Sequence, residues 1–134
     1  MKQVRNVLLI DDDLIFNLIN KKFIEKANFS TNVFSYSDAN KALNYLKQLI
    51  NTDITQFPEV VFIDVNMPDM NAWEFLEEFN KFPEAVLKRC KVFVLSSSVD
   101  EEDIEKSKKF KTMLAFISKP ITMGKLEMLF LTNT

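Results

Sequence analysis

The chain has no histidine and a single glycine, Gly124, among its 134 residues. Without histidine it cannot form a Ser-His-Asp triad, a histidine-ligated metal site or a phosphohistidine of its own. With one glycine it can write neither a Walker phosphate loop nor a dinucleotide-binding fingerprint. Any nucleotide chemistry connected with the protein must therefore happen on another polypeptide. The one cysteine, Cys90, excludes an internal disulfide and fits a reducing compartment; its expected place is the core, as a small hydrophobe. No apolar run approaches the roughly eighteen residues of a membrane span, and because Met1-Lys2-Gln3 leads straight into the first apolar run no signal peptide is expected. A cytoplasmic protein with no membrane partner is expected. Lysine and arginine number 17 against 19 acidic residues, a net charge of −2. The signs are mixed along the chain, so the basic stripe of a nucleic-acid binder is missing too.

What is present is a pair of apolar tetrads that stop on acids. Val7-Leu8-Leu9-Ile10 runs into Asp11-Asp12-Asp13, and Val60-Val61-Phe62-Ile63 runs into Asp64. Each tetrad has the length and the β-branched or aromatic content of a strand buried on both faces. Set side by side, their ends crowd several negative charges into one crevice, which is unfavourable by several kcal/mol unless a cation or a shared proton relieves it. The pattern reads as an anionic site for a divalent metal.

The rest of the chain alternates in the same way. Ile15, Leu18, Ile19 and Phe23 recur at helical spacing up to about Ala27, and Asn28-Phe29-Ser30 breaks the helix. Asn32–Tyr36 reads as a weak second strand, and Ser37 as the N-cap of a helix through Ala39, Ala42, Leu43, Leu46 and Ile50. A polar connection from Asn51 to Pro58 precedes the Val60 strand. After the loop Met67–Asn71 comes a helix through Trp73, Phe75, Leu76 and Phe79, ending near Phe82-Pro83, with room for a short extension through Val86 and Leu87. Val92–Leu95 is a buried strand ending on Ser96, and Asp100 caps an acid-fronted helix. Met113–Ile117 is the last strand, followed by Ser118-Lys119-Pro120 and a helix capped by Thr122 and running to about Leu131. Five βα repeats with uniformly apolar strands indicate one α/β domain over 1–134, a parallel sheet covered on both faces. In such sheets ligands bind beyond the carboxyl ends of the strands. Those ends here carry Asp11, Asp12, Asp64, Ser96 and Lys119.

With these residues in order, the chain resembles the receiver (response regulator) domain of two-component signalling. The resemblance rests on Asp11-Asp12, Asp64, Met67-Pro68 with Met70-Asn71, Ser96, and Lys119-Pro120, and spans nearly the whole chain. It implies a flavodoxin-like (βα)5 three-layer sandwich with strand order 2-1-3-4-5. It further implies that Asp64 is the phosphoacceptor nucleophile and that Mg²⁺ is held by Asp12, Asp64 and the backbone carbonyl of Asn66, with Asp11 acting through water. Lys119 and Ser96 would each meet a phosphoryl oxygen, and Asp13 would be a helix cap. Ser96 and Phe116 fall at the family's switch positions. The implied partners are a histidine kinase or His-phosphotransfer protein upstream and a target protein downstream, with no output domain attached and no metabolic enzyme activity.

Three positions depart from the family's usual pattern. Ala72 follows Asn71 where glycine is usual, which predicts an altered start to the third helix because alanine resists positive φ. Ser96 stands for threonine and so loses a methyl that restrains its rotamer. Phe116 stands where tyrosine is common and cannot donate an outward hydrogen bond. The surface that switching would alter includes Ile104, Phe110, Met113 and the Met123–Met128 stretch, most of which is expected in the core. Two other readings compete. Asp11-x-Asp13 mimics the nucleophile motif of a small haloacid-dehalogenase-type phosphohydrolase, and a pseudo-receiver would bind partners without phosphorylation.

Overall fold

A computed structural model describes residues 3–133, with side chains described for residues 3–128. Five strands, β1 (Val7–Ile10), β2 (Val33–Tyr36), β3 (Val60–Asp64), β4 (Lys91–Ser96) and β5 (Met113–Ser118), form one sheet in the order β2-β1-β3-β4-β5. All four pairings are parallel. The connecting helices are α1 (Leu14–Lys26), α2 (Ala39–Thr52), α3 (Ala72–Phe79), the single turn α4 (Glu84–Leu87), α5 (Glu101–Ser107) and α6 (Met123–Asn133). This is the expected flavodoxin-like (βα)5 sandwich. Among the described residues, no helix is long and apolar enough to cross a membrane.

Strand residues alternate between two cores, as the period of a strand requires. Leu8, Ile10, Val61, Ile63, Val92 and Val94 face α2 and α3, together with Leu46, Phe75 and Phe79. Val7, Leu9, Phe62, Phe93 and Leu95 face the other way, against Ile24, Phe29 and Leu126. Both faces of β1, β3 and β4 are therefore dry, which accounts for the uninterrupted apolar tetrads. Each such side chain contributes about 1.5–3 kcal/mol on full burial.

α1 departs from expectation. Its buried residues are Asn17, Asn20 and Ile24, while Leu14, Ile15 and Leu18 stand exposed at 70%, 69% and 55%. Of the apolar residues at helical spacing, Ile15 and Leu18 mark the outer face and Ile19 and Phe23 are half-buried. Hydrogen bonds hold the inner one: Asn17 Nδ2 donates to the Asp11 carbonyl at 2.8 Å, and Asn20 Oδ1 accepts from the Ile121 N–H at 2.9 Å. Asn28 closes the helix at φ 56°, a left-handed position that asparagine tolerates.

Smaller corrections concern helix ends. Asp38 caps α2, accepting from the Asn40 and Lys41 amides; Ser37 lies one place too early. The connection after α2 is not wholly polar, because α2 runs on to Thr52 and Phe57 packs in the core beside Phe79 and Phe82. α3 stops at Phe79, before Phe82-Pro83. Ala72 does not disturb its start. The positive φ of that loop falls on Asp69, at 69°, and Asn71 forms a full capping box with Glu74.

Candidate functional site

Register assembles the site. Ile10 pairs with Ile63, so Asp11 and Asp64 leave the sheet side by side at its carboxyl edge. One oxygen from each of Asp11, Asp12 and Asp64 lies within 4.8 Å of the others. Asp11 and Asp64 are buried, and Asp12 faces solvent. Asp11 Oδ1 accepts from the Asp13 amide at 2.9 Å, while Oδ2 has no partner among the described residues beyond the ion pair with Lys119. Asp13 turns away to cap α1, accepting from Ile15 and Phe16.

Lys119 arrives from the end of β5. Its Nζ lies 2.8 Å from Asp11 Oδ2 and 3.0 Å from Asp64 Oδ1, and 4.5 Å from the centroid of the Phe16 ring. Three anchors fix the turn that delivers it. The Lys119 amide donates to the Ser96 carbonyl at 3.2 Å, Ile121 is tied to Asn20, and Lys125 Nζ donates to the carbonyls of Ser118 and Pro120 at 2.9 and 3.0 Å.

The electrostatics follow from this arrangement. Burial raises the Asp64 pKa; the Lys119 hydrogen bond opposes that, and the Asp11 charge adds to it, so the net shift is upward. Burial alone would lower Lys119, but its bonds to Asp11 and Asp64 outweigh this and its pKa is raised. Three carboxylates against one ammonium leave a formal −2 in the crevice. Hard oxygen donors with that residual charge suit a divalent cation of the Mg²⁺ type.

Of the other residues singled out from sequence, Ser96 is buried at the end of β4 and its hydroxyl closes a local turn, donating to the Ser98 carbonyl and accepting from the Ser98 amide. Asn66 is exposed two residues past β3. Phe116 is half-buried, with its ring edge-on to Trp73 at 5.9 Å. Phe110 and Leu126 are buried and Met113 packs half-buried against the core, whereas Ile104, Met123 and Met128 are exposed; the expectation that most of that surface would be core holds for only part of it. The helices carrying those three residues lack a further layer that would cover them. Sequence reasoning missed Phe16, Asn17 and Asn20. Asn17, Asn20 and Ile24, at spacings of three and four, were the available signal for a helix with its polar side inward.

The response regulator receiver domain model matches residues 7–130. The chain belongs to the receiver domain family of response regulators. Its fold superposes on the crystal structure of a two-component response regulator from Cytophaga hutchinsonii with a TM-score of 0.87 at 31% identity, covering 98% of this chain and 97% of that one. A chemotaxis protein of Vibrio cholerae, CheY4, shares the fold at a TM-score of 0.75 and 19% identity, covering 99% of this chain and 100% of that one. Among curated proteins, response regulator Rcp1 of Synechocystis sp. is 24% identical over 98 residues, 73% of this chain and 65% of that protein's length. Receivers bind Mg²⁺ at an acidic cluster, and Asp11, Asp12 and Asp64 form such a group here.

Proposed function

We propose that the protein is a phosphoacceptor that takes a phosphoryl group on Asp64 and signals through contacts with other proteins. The observation that carries this reading is the position of Asp64, at the end of a buried strand and in one crevice with an ammonium and two further carboxylates. Phosphoryl transfer asks little covalent help of a protein; it needs positioning and neutralised charge. A carboxylate oxygen of Asp64 bonds to phosphorus, and the bond from phosphorus to the donor breaks with its electron pair leaving on the donor. Because the chain has no histidine, a phosphohistidine donor belongs to a histidine kinase or phosphotransfer protein. The exposed Leu14, Ile15 and Leu18, directly after the acidic run, give such a donor an apolar surface to rest on.

Asp12, Asp64 and the Asn66 carbonyl would hold Mg²⁺, with Asp11 acting through water, and the ion would neutralise charge on the phosphoryl oxygens. Lys119 exchanges its contact with Asp64 for a phosphoryl oxygen. The Ser96 hydroxyl leaves the Ser98 carbonyl to meet another, which shifts the loop after β4, and Phe116 follows. The altered face, with Ile104 and Met123 exposed, is where a target reads the change. The protein is thus a cytoplasmic signalling module and not a metabolic enzyme. A hydrolase built on Asp11 would leave the run from Asp64 to Asn71 without a role.

Incubation with acetyl phosphate and Mg²⁺ should add one phosphoryl mass, abolished by Asp64→Asn and retained in Asp11→Asn. Rapid multiple turnover lost with Asp11→Asn would favour the hydrolase instead, and no modification at all would leave a pseudo-receiver.

A further inference from the structure

At the opposite end of the sheet, where β4 and β5 begin, lies a groove of about 930 Å³. That is near the upper end of the roughly 300–1,000 Å³ typical of ligand clefts. Its apolar floor includes Leu87, Phe110 and Leu114, the last 42% exposed on the outermost strand. Its rim carries Lys81, Lys88, Lys91, Lys109 and Lys111, against two acids, Glu77 and Glu84. Lys88 is paired with Glu84 at 3.6 Å and Lys81 with Glu78, but Lys109 and Lys111 have no carboxylate partner among the described residues. A chain with a net charge of −2 therefore concentrates positive charge over apolar surface at a place remote from its acidic site.

We infer that this groove docks an acidic peptide segment of a partner protein, with apolar side chains on the floor and carboxylates along the rim. The alternatives fit less well. A compact phosphate needs converging amides or buried cations, whereas here the lysines are exposed and spread along a rim. A nucleic acid backbone gains nothing from an apolar floor. Separated carboxylates with apolar side chains between them match both features.

The groove also has an internal reporter. Phe110 stacks on Trp73 with ring centroids 6.3 Å apart and planes 10° from parallel, and Trp73 is the only tryptophan. An occupied floor changes Trp73 emission.

The test uses the full chain and a short fluorescein-labelled peptide of glutamates interspersed with leucine and phenylalanine. Anisotropy should rise on binding, with a change in Trp73 emission followed in parallel using unlabelled peptide. The Lys109→Glu/Lys111→Glu variant changes two exposed side chains and should fold normally and keep its modification by acetyl phosphate, but bind roughly tenfold more weakly. Leu114→Ser should weaken binding while leaving the charges in place. The proposal is overturned by undiminished binding in the charge-reversed variant. It is equally overturned if a peptide with serine in place of leucine and phenylalanine binds as well, or if duplex DNA competes more strongly than the peptide.

Discussion

Replacing Lys119 with methionine tests the electrostatic account of the site most directly. Methionine keeps an aliphatic stem near Phe16 and removes the ammonium that bridges Asp11 and Asp64. The side chains of the lysine and the two aspartates are only 12%, 1% and 10% exposed, so solvent screens the pair weakly. Removing one partner of a buried ion pair costs roughly 3–5 kcal/mol. Asp12 faces solvent and lets water reach the crevice, so the lower end applies, about 3 kcal/mol at pH 7 without divalent metal. For a chain of 134 residues this lowers Tm by roughly 10 °C. Added Mg²⁺ should narrow the deficit, because the variant's crevice carries one more uncompensated charge than the wild type's and gains more from the cation. Lowering the pH should narrow it as well, as Asp64 takes up a proton. Urea unfolding of both proteins followed by circular dichroism, with EDTA or with Mg²⁺, measures all of this. A deficit under about 1 kcal/mol, typical of exposed pairs, would refute the reasoning, as would equal stabilisation of both proteins by Mg²⁺.

Two further outcomes are expected. Asn20→Leu removes the acceptor of the buried Ile121 amide and should lower stability by about 1–3 kcal/mol; it should also slow acetyl phosphate modification by loosening the turn that carries Lys119, and unchanged thermal unfolding would show that the bond is dispensable. In the metal-free protein, carboxyl NMR should find Asp64 titrating above the usual carboxylate range, chiefly through burial. A folded pKa above the unfolded one means that this carboxylate opposes folding at neutral pH and that the penalty is relieved as pH falls through the folded value. Lys119, raised by Asp11 and Asp64 against the effect of burial, has the opposite sense: its contribution is fully present below its unfolded value and is lost as pH rises through the folded one. An Asp64 resonance that titrates as an exposed carboxylate would contradict the geometry.

The strands and the acids at their ends were legible because burial on both faces leaves little but apolar residues in β1, β3 and β4. Parallel register then places Asp11 beside Asp64 without further information. α1 was misjudged for a physical reason. Apolar periodicity shows that a helix has two unlike sides, and burial of the apolar one is only the usual outcome. Here the residues against the sheet must bind the Asp11 carbonyl and the Ile121 amide, so asparagines take the inner side. The Ala72 expectation failed because a loop can move its positive φ to another residue, in this case Asp69. The Ser96 hydroxyl was placed correctly at the strand end, but its engagement with Ser98 depends on a loop conformation that residue types alone do not specify.

The inverted α1 separates two demands that most helices must meet with one set of side chains. Its fully buried residues are two asparagines and Ile24, and the exposed Leu14, Ile15 and Leu18 contribute little to its attachment to the domain. Mutational drift can therefore rewrite the outer side of this helix, changing which protein recognises it, while the domain's stability and the placement of its acids stay as they are. Duplicated copies of such a chain could part company in their associations long before they diverge in architecture.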